Sequence, residues 1–347
     1  MLAAVSLCCL GLVMAVSIQG PRLSNGALLA VQSQGAKLAA GLVAFLCCAM
    51  VPLELLRRHA RLLCLTATGL CYVAALFGTP VHTARRWINF AGMQFQPVDL
   101  ARLAVVLFTA GLIAQAGTQI RRFRQGFINT MWPAVLLVFA LLLQPDNGNA
   151  AFVLALVACM TLIAGVAFRW FTVLGIPLLC VFVGLALTRP YVKHRLTGFL
   201  DIQPGSQVGQ SLVAISSGGL TGQGLGNGWM KMGFVPEANN DFVFAVVGEE
   251  LGLVGGLIVL ALYSTIGYTG FRLVMVTQDR FRRYLILGLT LALCMQAAIN
   301  LLVVTGMAPA KGIDLPFVSS GGTNLVLCLA AVGLIGNAAR ADACEHS

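Results

Sequence analysis

Residues Pro236–Thr269 read PEANNDFVFAVVGEELGLVGGLIVLALYSTIGYT. From Phe242 onward the stretch is predominantly apolar, with Glu249 and Glu250 as its charged residues. It exceeds the about 20 residues that a helix needs to cross a bilayer. Its apolar residues run on continuously instead of alternating, which fits a spanning helix and not a barrel strand. Yet four of the chain's 12 acidic residues, Glu237, Asp241, Glu249 and Glu250, fall between Pro236 and Gly252. A carboxylate in or beside hydrocarbon is costly unless something uses it. The stretch therefore sets the fold and poses the functional question together.

Outward from it, nine more apolar runs follow the same pattern: 2–18, 35–54, 60–78, 98–116, 129–143, 149–168, 170–188, 284–306 and 318–338. The sixth and seventh are divided at Arg169. Hydrophobic residues make up 59% of the chain and charged residues 10%, against about 45–50% and 25% in soluble domains. The expectation is an all-α, polytopic membrane protein of about ten spans, one transmembrane domain over residues 1–347. The N-terminal run lacks a basic start and a small-residue cleavage site, and reads as an uncleaved first span. The 11 cysteines lie mostly inside spans, without metal-ligand spacing, and read as small packing residues.

Arginine in short loops gives the orientation. One alternate set of loops holds Arg57, Arg58, Arg61, Arg121, Arg122, Arg124, Arg169, Arg272, Arg280, Arg282 and Arg283. That set is expected in the cytoplasm, with both termini inside. The net charge of +10 is mostly this signal; no soluble basic face exists for nucleic acid. The other set holds Arg22, Arg85, Arg86, Lys311 and the long segment 189–241, which reads as an extracytoplasmic loop. That loop opens on Arg189, Lys193, His194 and Arg195 and runs through SSGGLTGQGLGNG to the acidic stretch. With no strand before it, the glycine run is expected to serve close backbone packing or a re-entrant turn. Polar residues also concentrate at 82–102, 144–149 and 307–324, all on the outer side, which points to chemistry at the outer leaflet.

The motifs RRWINF, FQPVDLARLA, QPDNG, GQGLGNG, PEANNDFVFAVVGEELG and KGIDLPFVSSGGTNL, in this order between ten spans, resemble the SEDS family (shape, elongation, division, sporulation) over essentially the whole chain. GEELG and the lysine of AKG look more like the division (FtsW-like) branch than the elongation (RodA-like) branch. The resemblance implies a peptidoglycan glycosyltransferase that polymerises lipid II at the outer face of the bacterial cytoplasmic membrane, at the division septum. It also implies a class B penicillin-binding protein as transpeptidase partner, alongside other division-complex membrane proteins. Departures from the family pattern include Thr83 and Ala84 before Arg85, Asp99 for a glutamate, Arg102 for a lysine, Asn147 and Asn149 in QPDNGN, and Ser320 for a tyrosine.

Asp241 stands where the chain enters an apolar helix. A carboxylate there suits a general base if partial burial raises its affinity for a proton; helix capping explains the same position. The resemblance assigns Asp241 the family's essential aspartate. Glu237 is a candidate for orienting substrate or holding a divalent cation (Mg2+ or Mn2+), with a solvated loop acid as the alternative. Glu249 and Glu250 lie roughly 12 Å deeper at 1.5 Å per residue, too far to act on the same hydroxyl. A structural role fits them, with Arg102 as a possible counter-charge. Lys311, Arg86 and Arg85 are candidates for the leaving pyrophosphate, with headgroup anchoring beside Trp87 as the alternative. Asp146 is a helix cap or a second cavity carboxylate. Pro316 is expected to break or start the last helix, with Gly321 and Gly322 as close-packing positions. Two rivals stay open: a lipid II flippase, which Glu249, Glu250 and Arg102 would serve, and a non-catalytic scaffold.

Overall fold

The computed structural model describes residues 1–20, 26–81, 84–90, 93–188, 198–199, 201, 203, 205–229 and 239–345. Its helices are α1 (Leu2–Gln19), α2 (Gly26–Met50), α3 (Leu53–Phe77), α4 (Pro97–Ala116), α5 (Asn129–Leu143), α6 (Asn147–Ile163), α7 (Ile176–Leu187), α8 (Gln207–Gly218), α9 (Val243–Val276), α10 (Arg280–Val304) and α11 (Gly322–Glu345). Among the described residues, eight helical stretches are long and apolar enough to cross a membrane. The other two expected spans are shorter helices. α6 has 17 residues, because Gly165 at φ 100° stops it. α7 has 12, and follows a helical turn, Phe168–Trp170, and a π-helical segment, Phe171–Gly175. α2 and α3 begin earlier than the apolar runs 35–54 and 60–78. Hydrophobicity marks the part of a helix that meets lipid, not the part that is helical, and α3 carries Arg57, Arg58 and Arg61 in its first turns.

A small antiparallel sheet, which the all-α reading omitted, fills the connection between α3 and α4. Strands β1 (Thr79–Val81), β2 (Ala84–Phe90) and β3 (Met93–Phe95) pair in the order β1-β2-β3, with Thr79 opposite Trp87 and Ile88 opposite Phe95.

The chain forms two compact units. The first comprises Met1–Val43, Leu187–Tyr268 and Leu293–Leu329; the second comprises Ala44–Ala186, Thr269–Ala292 and Ala330–Ser347. The dividing points fall inside helices, not linkers. In the second unit α3 packs on α4; the buried residues of α3 include the small Cys64, Ala67, Cys71 and Ala74, and those of α4 include Ala101 and Ala104. Small side chains let helix backbones approach closely where lipid offers no hydrophobic drive, and Cys64 and Cys71 serve here as packing residues. In the first unit Leu7, Met14 and Ile18 of α1 are fully buried. Gly11 lets α1 seat on the backbone of the loop before α11: a Cβ there would lie 2.8 Å from the carbonyl oxygens of Phe317 and Val318.

Candidate active site

Asp241 lies in the turn just before α9 and is half-buried. Its carboxylate faces the loop between α10 and α11. A Cβ at Gly312 would stand 2.8 Å from Asp241 Oδ2, so the side chain that glycine lacks leaves room for the carboxylate. Lys311, also half-buried, immediately precedes Gly312, and its carbonyl accepts from Ile313 N at 3.0 Å. Side chains from the surrounding helices hold this loop by its carbonyls. Gln296 Nε2 donates to Asp314 O at 2.8 Å, Lys37 Nζ to Ser320 O at 2.7 Å, and Tyr263 Oη to Pro316 O. The Lys37 stem runs along Gly322, within 3.6–3.7 Å of where a Cβ would be. One described region of the first unit thus carries both a candidate base and a candidate cation.

Glu249 and Glu250 do different work. Both are fully buried, 1% and 0% exposed. Ser17 Oγ of α1 donates to both oxygens of Glu250, at 2.6 and 2.8 Å. Gly226 N donates to Glu250 Oε2 at 3.1 Å, and Trp229 N to Glu249 Oε1 at 2.7 Å. Two residues on, Gly252 sits at φ 65°, ψ −161° and breaks α9. Only glycine adopts that conformation readily. The carbonyls of Glu249 and Glu250 accept from Gln223 N and Gly224 N, each at 3.0 Å, while Leu253 N and Val254 N donate to Gly219 O and Leu220 O at 3.0 and 3.2 Å. These are the four groups that a continuous helix would have paired with one another. The glycine-rich run after α8 therefore splints the broken helix, which is the close backbone packing expected of it. Gly222 makes the approach possible, since a Cβ there would fall 2.2 Å from Glu250 O.

In the second unit, Asp146 caps α6: Asn149 N donates to its Oδ1 at 3.2 Å and Asn149 Nδ2 to its Oδ2 at 2.7 Å. The cap reading of Asp146 holds. Arg86 Nε lies 3.8 Å from Asp146 Oδ2, and its Nη2 donates to Pro145 O at 2.8 Å, so this arginine grips the turn before α6. Arg102 donates to Asn149 Oδ1, lies 3.5 Å from Asp99 Oδ1 and covers the Phe152 ring at 4.8 Å. Those partners on α4 and α6 place Arg102 in a polar cluster of its own unit. Arg85 is exposed and donates to Leu76 O at 2.9 Å.

Glu237, Lys193 and Arg195 lie outside the described residues. Among the described residues no three His, Cys, Asp or Glu side chains gather as a metal-holding group. Sequence reasoning overlooked Lys37 and Asp314 as members of the site. For Lys37 the signal was available, since a lysine inside a spanning run is a functional candidate by default.

Broken and short helices, buried carboxylates and a polar loop region define a polytopic membrane protein with a built polar site. Residues 1–343 match the FtsW/RodA/SpoVE cell cycle protein family, and the chain belongs to it. A probable peptidoglycan glycosyltransferase FtsW of Geobacter metallireducens is 33% identical over 97% of this chain and 92% of that protein. Stage V sporulation protein E of Bacillus subtilis is 36% identical over 74% and 72%. Among solved structures, one described as the structural coordination of polymerization and crosslinking by a peptidoglycan synthase complex aligns at TM-score 0.81, with 26% identity, over 98% of this chain and 96% of that one. The rod shape determining protein RodA of Thermus thermophilus aligns at TM-score 0.73, with 26% identity, over 98% and 95%.

Proposed function

We propose that this chain is a peptidoglycan glycosyltransferase of the division type, polymerising lipid II at the outer face of the bacterial cytoplasmic membrane. The observation that carries the reading is the Asp241 carboxylate against Gly312, next to Lys311. In the reaction the 4-hydroxyl of an incoming lipid II attacks the anomeric carbon of the growing glycan. The new O4–C1 bond forms as the bond from C1 to the pyrophosphate oxygen breaks. The hydroxyl proton passes to Asp241, and undecaprenyl pyrophosphate leaves with the electron pair. Lys311 stabilises the charge that grows on the departing phosphate, where a fixed cation has its largest effect. Arg86, engaged with Pro145 and Asp146, serves first to hold the turn before α6. The expected topology places both termini in the cytoplasm and loop 189–241 outside.

Glycan polymerisation leaves cross-linking to another protein, and a class B penicillin-binding protein fits that need. The test is lipid II polymerisation by the purified chain, read as glycan product, with and without such a transpeptidase. Asp241→Asn is expected to cut the rate at least about a hundredfold while the protein remains folded, and the transpeptidase is expected to raise the wild-type rate. Glycan made by Asp241→Asn at the wild-type rate would remove the base. A rate indifferent to every transpeptidase tried would remove the partner.

A further inference from the structure

The segment bearing Asp241 is held through its main chain. Three successive carbonyls are taken in turn: Asn239 O accepts from Ser320 N at 2.9 Å, Asn240 O from Ser319 Oγ at 2.6 Å, and Asp241 O from Asn300 Nδ2 at 2.7 Å. Two of the three donors are side chains, and each has a second partner in the loop beside Lys311. Asn300 Nδ2 also donates to Ile313 O at 2.7 Å, and Ser319 Oγ accepts from Leu315 N at 2.8 Å. Asn300 and Ser319 are each 1% exposed. Buried polar groups of this kind persist where they make bonds that nothing else replaces. Ser320 enters only through its main chain in these contacts, giving its N–H to Asn239 and its carbonyl to Lys37. A serine can therefore stand where the family pattern has a tyrosine without loosening the tether.

We infer that Asn300 and Ser319 are positioning residues for Asp241. Each bonds at once to the acidic segment and to the Lys311–Leu315 stretch, so together they fix the carboxylate relative to Gly312 and Lys311. The inference rests on the reading of Asp241 as the base. It explains why Asn300 on α10 and Ser319 in the loop before α11 are buried polar residues. Plain packing, the sequence expectation for PFVSSGG, accounts for Gly321 and Gly322 but not for the bonds of Ser319.

A double-mutant cycle tests this. Polymerisation of lipid II is measured for Ser319→Ala, Asn300→Ala and Asp241→Asn, and for each alanine variant combined with Asp241→Asn, with melting in detergent followed in parallel. Ser319→Ala and Asn300→Ala are each expected to lower kcat about tenfold or more with KM for lipid II nearly unchanged, the scale set by a reacting group displaced by a fraction of an ångström. In the Asp241→Asn background the same changes are expected to cost less than about twofold, because the group they position is already gone. Ser319→Thr keeps the hydroxyl and is expected to recover most of the loss, which guards against an alanine variant that simply folds poorly. Equal losses in both backgrounds would overturn the inference and leave only a structural role. An inactive Asp241→Asn beside fully active Ser319→Ala and Asn300→Ala would overturn it while keeping the base. A fully active Asp241→Asn would overturn both.

Discussion

Two acidic positions on one chain, Asp241 and the pair Glu249–Glu250, use their surroundings in opposite directions. At 239–241 side chains hold backbone: Ser319 and Asn300 grip carbonyls, and the carboxylate is turned toward Gly312. At 249–250 carboxylates hold backbone: they grip Gly226 and Trp229 amides and the Ser17 hydroxyl, in full burial. Both carry a carboxylate, and they belong to or precede the same helix. What separates a candidate reagent from a structural tie is which partner is aimed and which is consumed. The comparison teaches that a buried carboxylate already tied to backbone amides is a poor candidate for proton transfer even when it is the more conspicuous one in the sequence.

The contrast predicts three separable outcomes. Gly252→Ala should have the largest effect. It forces a side chain into a left-handed conformation, worth about 1–3 kcal/mol of strain, and sets a Cβ 2.3 Å from Gly222 N. Folded protein in membranes should fall sharply, measured by detergent-resistant yield and melting. Recovery at wild-type levels would mean that the splinted break is not required. Asp241→Asn comes next: its hundredfold rate loss is equivalent to about 2.7 kcal/mol, and melting should barely move. Glu250→Gln should be mildest, since it keeps the shape and weakens charge-assisted bonds, by about 1–2 kcal/mol in stability. Its polymerisation rate per folded molecule should stay near wild type. If Glu250→Gln instead loses rate with no change in melting, the two acidic positions are not divided as argued.

The spans were legible because lipid demands continuous apolar runs. Their helical ends were less so: α3 begins on the charged residues Glu54, Arg57 and Arg58, and α2 begins nine residues before its expected run, through the uncharged stretch GALLAVQSQ. The strand pairing at 79–95 escaped because Arg85 and Arg86 dominate that stretch, and three- and seven-residue strands carry no strong alternation. Asp241 could be picked out as a charge at a helix mouth, singled out by the family resemblance, and Lys311 as a cation in an outer loop. Ser319 and Asn300 could not, since a serine or asparagine that bonds a distant carbonyl looks the same in sequence as one that faces water. The pairing of Glu249 and Glu250 with the glycine-rich run was hidden for a related reason. The run speaks through N–H groups that every residue has, and glycine signals only that something comes close.

The break at Gly252 has a consequence for how the protein is made. The strand of chain that repairs the helix, residues 219–224, is synthesised before the helix it repairs. Once broken at Gly252, the ninth helix carries two carbonyls and two amides without helical partners, and in hydrocarbon each would cost several kcal/mol if left bare. The break therefore has to form together with its splint: the helix can enter continuous, with these four groups paired to one another, and open at Gly252 only as residues 219–224 take them over. Maturation of this helix is then a two-part event, insertion followed by an exchange of backbone partners.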